Sequence, residues 1–82
     1  MENDIYEIIK IILRKKGMNS VEVLTPETKL REDLNFDSLD LAELTVRIED
    51  KFGVDIFENG NVYTVEDILE KIRRKKVESN DE

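Results

Sequence analysis

The sequence contains no cysteine and no histidine, and these two absences remove most of the side chains that build catalytic and metal sites. Without cysteine, the chain cannot form a disulfide framework, a thiolate metal site or a cysteine nucleophile. Without histidine, it cannot form a Ser-His catalytic pair or an imidazole metal ligand. We therefore expect a protein that is not an enzyme and that holds no metal ion.

Long apolar runs are also missing, because no stretch approaches the roughly 20 residues that a membrane-spanning helix needs. The first four residues, 1–4, include no basic residue, unlike the start of a signal peptide. These features predict a cytoplasmic protein without membrane insertion. At 82 residues the chain has room for one domain, which we expect to be a monomer.

Positive charge is scarce relative to negative charge, since 13 basic residues stand against 20 acidic ones and leave a net charge of −7. The phosphate backbone of a nucleic acid repels such a surface, so no nucleic-acid partner is expected. Protein surfaces rich in lysine and arginine attract it. The composition therefore predicts protein partners with basic surfaces.

Three segments place hydrophobic residues at helical spacing, which predicts an all-α fold. The first predicted helix runs from about residue 4 to residue 16, with Asn3 or Asp4 as its N-cap and Gly17 as its stop. Its buried face is expected to comprise Ile5, Ile8, Ile9 and Ile12.

The second predicted helix starts at Asp37 or Ser38 and ends at Gly53. Asp37 is a good N-cap, and Gly53 suits the left-handed backbone that commonly ends a helix. The third helix is predicted from about residue 65 to residue 75, after a Thr64–Asp67 capping box. Its buried face is expected to comprise Val65, Ile68, Leu69 and Ile72.

The connections between these helices differ in length. Residues 18–36 form a long loop, and residues 54–63 are expected to hold one short helix or turn. Five apolar residues are predicted to pin the long loop onto the core: Val21, Val23, Leu24, Leu30 and Leu34. The predicted architecture is a small four-helix bundle, made of three main helices plus one short helix or turn. It forms a single domain over residues 1–76, followed by a flexible acidic C-terminal tail at 77–82.

Ser38 is a candidate modification site because a loop delivers it to the first turn of the second helix. A phosphate esterified there would lie near free backbone N–H groups and the positive end of the helix dipole. The two acidic neighbours Asp37 and Asp40 oppose it somewhat by like charge. Ser38 as an ordinary first-turn residue remains an alternative from this segment alone.

The outer face of the second helix carries apolar residues where a purely structural helix carries polar ones. The predicted core face comprises Leu41, Leu44, Thr45, Ile48 and Phe52. Leu39 and Val46 lie nearly opposite, with Glu43 and Asp50 around them. Ala42 and Glu49 border the same surface. Apolar positions framed by acids favour a docking surface for a basic, partly apolar partner.

The order and spacing of four short segments resemble the acyl carrier proteins. These segments are DSLD at 37–40, EL at 43–44, IEDKFGVDI at 48–56 and TVEDI at 64–68. Three residues alone make a weak motif, whereas the full pattern with its spacing is specific. The resemblance covers nearly the whole chain.

The resemblance implies that Ser38, flanked by Asp37 and Leu39, carries a 4′-phosphopantetheine arm. In this family a phosphopantetheinyl transferase installs the arm from coenzyme A, and acyl-loading and acyl-using enzymes then dock on the acidic helix. With Val46 from the helix pattern, the expected partner-binding residues are Leu39, Asp40, Glu43, Val46, Glu49 and Asp50.

Some residues depart from the family pattern. Asn35 and Phe36 stand where many fatty-acid carriers have a glycine and a small residue, and Phe57 replaces a common proline. Phe36 is expected to pack against the loop or to shield the root of the arm. Two basic residues of the second helix are expected to pair with Glu43: Arg47 and Lys51.

The predicted function is to hold an acyl-type intermediate as a thioester and deliver it to enzymes of fatty-acid, lipid or specialised, polyketide-like biosynthesis. An aminoacyl or peptidyl carrier and an unmodified acidic adaptor are the alternatives. A calcium loop is a poorer hypothesis: Asp33, Asn35 and Asp37 mimic its first ligands, but Ser38 and Leu44 stand where its glycine and its bidentate glutamate belong.

Overall fold

A computed structural model describes residues 2–17, 23–58 and 60–80, with the backbone alone for 76–80. Three α-helices follow in order: α1 (Glu2–Lys15), α2 (Ser38–Phe52) and α3 (Val65–Asn80). The described residues contain no β-strand, only an isolated antiparallel bridge between Lys29 and Thr64. The predicted all-α class is confirmed.

Helix α1 begins earlier than predicted, and the predicted N-caps are therefore wrong. Because the helix already starts at Glu2, Asn3 and Asp4 lie inside its first turn. There the negative carboxylates of Glu2 and Asp4 interact favourably with the positive end of the helix dipole. The predicted stop is confirmed: Gly17 has a φ of 82°, and its N–H donates to the Arg14 carbonyl at 2.9 Å.

Helix α2 has the predicted ends. Asp37 is its N-cap, with extended backbone and a side chain that accepts from the Asp40 N–H. Gly53 closes it in the left-handed conformation, with a φ of 71°, and donates to the Glu49 carbonyl at 2.8 Å. A residue without a Cβ adopts this conformation without steric cost.

Helix α3 begins at a capping box, as predicted, but it ends later. The Asp67 N–H donates to Thr64 Oγ1 at 3.2 Å, and Asp67 Oδ2 accepts from the Thr64 N–H at 3.0 Å. The helix continues to Asn80 rather than ending near Lys75. Residues 77–80 of the predicted tail therefore belong to α3, while 81–82 lie outside the described residues. The flexibility of this tail stays a prediction.

The long connection is anchored by part of its predicted apolar set. Leu30 and Leu34 are buried and Leu24 is half-buried, but Val23 is 87% exposed, so its predicted packing is wrong. Residues 18–22, including Val21, lie outside the described residues. Backbone hydrogen bonds join this connection to the residues before α3, from Leu30 N–H to the Tyr63 carbonyl at 2.9 Å among others.

The second connection contains a turn at 56–58 and no helix among its described residues, where 59 is left out. The Glu58 N–H donates to the Asp55 carbonyl at 3.2 Å, and Asp55 Oδ1 accepts from the Phe57 N–H at 3.0 Å. Of the two predicted forms, the short turn is the one that occurs.

The hydrophobic core lies between α1, which packs against both other helices, and the two connections. The predicted inward faces of all three helices are buried, apart from Thr45 and Phe52, which are half-buried. The residues with no exposed surface are Ile5, Ile9, Leu13, Leu30, Leu44, Ile48, Ile56, Val65, Ile68, Leu69 and Ile72.

Two leucines of α2 give a matched test of this core. Leu44 is 0% exposed and Leu39 is 80% exposed, so the same substitution removes either buried or solvated methyl groups. We expect Leu44→Ala to lower the free energy of unfolding by about 2–5 kcal/mol. Leu39→Ala is expected to change it by less than about 0.5 kcal/mol. Urea denaturation followed by circular dichroism measures both, and equal losses would contradict the described packing.

Candidate functional site

Ser38 is the first residue of α2, and its side chain is exposed to solvent. The turn around it is held by a reciprocal capping box. The Asp40 N–H donates to Asp37 Oδ1 at 2.9 Å, and the Asp37 N–H donates to Asp40 Oδ2 at 3.0 Å. Both carboxylates thus satisfy backbone donors that would otherwise lack a partner at the start of a helix. The capping box therefore fixes the backbone of Ser38, which lies between Asp37 and Asp40.

The two residues before this turn fix the entry of the chain into α2. Phe36 is only 3% exposed and belongs to the core, with its N–H donating to the Leu30 carbonyl at 3.0 Å. It therefore anchors the loop instead of covering Ser38. Asn35 has a φ of 59°, a left-handed backbone that asparagine adopts more readily than most residues. Glycine adopts a positive φ without steric cost, so this backbone also suits the glycine that many fatty-acid carriers have before the Asp-Ser pair.

Asp40 receives a partner that the sequence analysis missed. Lys16, just beyond the end of α1, places its Nζ 2.5 Å from Asp40 Oδ2 and 3.4 Å from the Asn35 carbonyl. The same carboxylate oxygen therefore serves the capping box and an ion pair with another part of the fold. Local sequence patterns carry no signal for this pair, because its members are 24 residues apart.

Glu43 is paired on two sides. Its Oε2 lies 2.9 Å from Arg47 Nε, which confirms the predicted pair at i+4, and 3.0 Å from Lys15 Nζ. The predicted pair between Lys51 and Glu43 is wrong, because Lys51 lies two turns further along α2. Its Nζ is instead 3.9 Å from Asp4 Oδ1 on α1.

These contacts shift the acidities of the paired groups. Partial burial raises the pKa of the Asp40 carboxyl, but hydrogen bonds from Lys16 and from the Asp37 backbone lower it more, so it lies below its ordinary value. The hydrogen bond to Asp40 raises the pKa of the Lys16 ammonium. Hydrogen bonds from Lys15 and Arg47 lower the pKa of Glu43. Both carboxylates are therefore charged, and partly neutralised by neighbouring cations, near neutral pH.

The remaining predicted docking residues face solvent. Leu39 is 80% exposed and Val46 is 63% exposed, and Glu49 and Asp50 are exposed beside them on α2. Within the described ranges, neither Glu49 nor Asp50 forms an ion pair. An open groove of about 500 Å³ runs along this helix, lined by Ala42, Glu43, Val46, Arg47 and Asp50. The predicted surface is thus exposed, but it carries basic as well as acidic groups.

A second, smaller cleft lies directly beside Ser38. It has a volume of about 250 Å³ and is lined by Ser38, Arg31, Leu41, Ala42, Thr45 and Phe57. Three separate segments contribute to it: the turn before α2, α2 itself and the turn at 56–58. Sequence analysis did not identify Arg31 as a site residue, since only the tertiary fold brings it to Ser38.

Acid titration tests the ion pair between α1 and α2. Because the pKa of Asp40 is lowered in the folded state, its ionised carboxylate stabilises the fold at pH values above the ordinary aspartate pKa of about 3.9. This stabilisation is lost as the pH falls through the lower pKa of the folded state. In Lys16→Gln the pKa of Asp40 should rise toward its ordinary value, and stability should fall less steeply below about pH 4.

Carboxyl-carbon NMR measures the Asp40 titration, and denaturation at several pH values measures the stability. Lys10→Gln, an exposed lysine on α1, is the matched control and should leave both unchanged. An Asp40 pKa that is the same in Lys16→Gln and in the unchanged chain would show that this ion pair does not persist in solution.

The described part of the chain has no helix that is both long enough and apolar enough to cross a bilayer. A family model described as a phosphopantetheine attachment site matches residues 6–71.

Curated relatives cover nearly the whole length. The acyl carrier protein of Thermosynechococcus vestitus is 38% identical over 76 residues, which are 90% of this chain and 94% of that protein. The acyl carrier protein of Helicobacter hepaticus is 33% identical over 75 residues, which are 89% of this chain and 99% of that protein. The family match covers α2, both connections and parts of α1 and α3, and the relatives cover about nine tenths of the chain, so the chain belongs to the acyl carrier protein family.

Proposed function

We propose that this chain holds an acyl group as a thioester on a 4′-phosphopantetheine arm attached to Ser38. The observation that supports this most strongly is the position of Ser38, an exposed hydroxyl at the first residue of α2 within the span of the family match. The residues present fit the group, because the hydroxyl is accessible and Arg31 lines the same cleft with donors suited to a phosphate. Asp37 and Leu39 flank the site, and the Asp37 cap fixes its backbone.

Attachment of the arm requires a second protein. Ser38 Oγ would form a bond to the pantetheine-bearing phosphorus of coenzyme A while the pyrophosphate bond breaks and adenosine 3′,5′-bisphosphate leaves. The hydroxyl proton must pass to a base. Asp37 and Asp40, the acids on either side, are engaged in the capping box and with Lys16. The base therefore belongs to the phosphopantetheinyl transferase, and this chain contributes the nucleophilic oxygen and its placement.

The role of a carrier agrees with the prediction that the chain is not an enzyme, since proteins of this family carry groups rather than convert them. The relatives named above are acyl carrier proteins, which favours an acyl cargo over the aminoacyl alternative. The arm supplies the thiol that forms the thioester. The pathways proposed for the cargo are fatty-acid, lipid or specialised biosynthesis.

Partner enzymes are proposed to bind the outer face of α2. Leu39 and Val46 offer exposed apolar area, and Glu49 and Asp50 offer exposed charge without a partner in the described residues. Asp40 and Glu43 attract a partner less strongly, because nearby cations already neutralise part of their charge. These cations are Lys15, Lys16 and Arg47. A basic, partly apolar partner surface is the complementary one.

Intact-mass analysis tests the attachment site. Incubation with coenzyme A and a broad-specificity phosphopantetheinyl transferase should add the mass of one arm. Ser38→Ala should abolish the addition, because it removes the only oxygen proposed to form the phosphoester. Ser79→Ala, a serine elsewhere in the chain, is the control and should be modified fully. An unmodified parent chain with several active transferases would support the adaptor alternative instead.

Charge reversal tests the docking surface. Asp50→Lys replaces an attraction worth up to about 1 kcal/mol by a repulsion, so modification by the transferase at low salt should slow by about threefold to tenfold. Added salt should shrink the difference by screening it. Glu7→Lys makes the same change of charge on the exposed face of α1 and should leave the rate unchanged. Equal rates for the two variants would exclude Asp50 from the docking surface.

A further inference from the structure

The cleft beside Ser38 combines one cation with an apolar wall. Arg31 comes from the turn before α2, Phe57 from the turn at 56–58, and Leu41 and Ala42 from α2. Besides Ser38 itself, Thr45 is the remaining polar residue of the lining, and its Oγ1 donates to the Leu41 carbonyl at 2.8 Å. The Thr45 hydroxyl hydrogen is therefore already engaged, and Arg31 supplies the charged donors of the cleft.

Arg31 is available to an anion at this place. Among the described residues, no carboxylate forms an ion pair with its guanidinium, although the chain carries a net charge of −7. The backbone of the turn that carries Arg31 is held by a hydrogen bond, because the Arg31 carbonyl accepts from the Asn35 N–H at 3.0 Å. A guanidinium presents a planar fork of donors that matches two oxygens of a phosphate.

The electrostatic surroundings of Ser38 make such a cation useful. A phosphodiester on Ser38 carries a negative charge beside Asp37 and Asp40, the two carboxylates of the capping box. The positive end of α2 offsets part of this repulsion. Lys16 already pairs with Asp40, and Arg31 is the cation that lines the cleft with Ser38 and is placed to offset the charge of the phosphodiester itself.

The size of the cleft limits what it holds. About 250 Å³ is below the range of roughly 300–1,000 Å³ typical of pockets that enclose a drug-sized ligand. A cleft of this size can hold only the root of the arm, which consists of a phosphate, a methylene group and a carbon with two methyl groups. Those methyl groups match the apolar wall formed by Leu41, Ala42 and Phe57, while the polar amide and thiol portion extends beyond it.

We infer that Arg31 and Phe57 are positioning residues for the root of the phosphopantetheine arm. Arg31 pairs with the phosphate, and Phe57 packs against the two methyl groups. This inference rests on the proposed attachment at Ser38. The cleft and the groove along α2 share Ala42 alone, so the root of the arm leaves the groove free for a docked enzyme. The protein thereby sets the direction in which the arm leaves Ser38.

NMR on the loaded protein tests this placement. Isotope-labelled protein carrying an unlabelled arm should show nuclear Overhauser effects between the two methyl groups of the arm and the Phe57 ring. The Arg31 Nε–Hε signal should shift between the unloaded and the loaded chain. Arg74→Gln, an exposed arginine on α3, is the control and should leave the methyl contacts unchanged.

Substitution separates the two roles. Because Arg31 is exposed, Arg31→Gln should preserve the fold, which the spectrum of the unloaded variant verifies. After loading, its methyl-to-Phe57 effects should fall at least twofold, and the phosphorus signal should move toward that of the loaded chain unfolded in urea. Arg31→Lys should retain part of the effect, since it keeps the charge but loses the fork. Phe57→Leu should leave the phosphorus signal near that of the parent while changing the methyl shifts.

Mass analysis of each sample separates a failure of attachment at Ser38 from a failure of the placement against Arg31 and Phe57. A chain that gains the arm but shows no methyl contacts with Phe57 and no change at Arg31 overturns the placement alone. Equal effects in Arg31→Gln and Arg74→Gln do the same. A chain that never gains the arm overturns the attachment at Ser38, and the placement with it.

Discussion

The start of α2 depends on a single carboxylate. Asp40 accepts from the Asp37 N–H, which completes the capping box, and from Lys16, which follows α1. The same side chain therefore satisfies the N–H of the N-cap residue and attaches the start of α2 to the segment that follows α1. Ser38 lies between the two members of this box, so its hydroxyl is held in place without being covered. Exposure with a rigid backbone is what an attachment site for a large group requires.

Ion pairs within the fold reduce the negative charge that α2, the helix proposed to bind partner enzymes, presents to solvent. The composition of the chain indicates a strongly acidic protein, yet two acids of α2, Asp40 and Glu43, already have lysine or arginine partners. The acids without a partner in the described residues, Glu49 and Asp50, lie further along the helix. Among the described residues, the unpaired acids of α2 therefore lie away from Ser38. The outer face of α2 has exposed apolar area at Leu39, mixed charge in the middle and two exposed acids, Glu49 and Asp50, further along.

Buried loop residues lie next to Ser38. Phe36 is buried directly before the capping box, and Leu30, whose carbonyl accepts from the Phe36 N–H, has no exposed surface, so the loop is anchored close to Ser38. The cleft lined by Arg31 and Phe57 lies at the surface, where Arg31 and Ser38 are exposed. A charged arm needs such a surface position, because burying an ionised phosphate in the core would be strongly unfavourable. The fold thus has a shallow surface cleft that suits the proposed arm, next to a core that α1 forms with α2 and α3.

Local signals in the sequence determined the elements and the position of Ser38. Helical spacing identified the buried faces, Asp37 and Gly53 marked the ends of α2, and the same period placed Leu39 and Val46 on the outside, because these properties depend on residues within a few turns. Tertiary structure decided the rest. The pair of Lys15 with Glu43 joins residues 28 apart, and the cleft brings Arg31 and Phe57 to Ser38 from different connections. Such contacts depend on how the end of α1 and the two connections pack against α2, and no local period in the sequence encodes that packing.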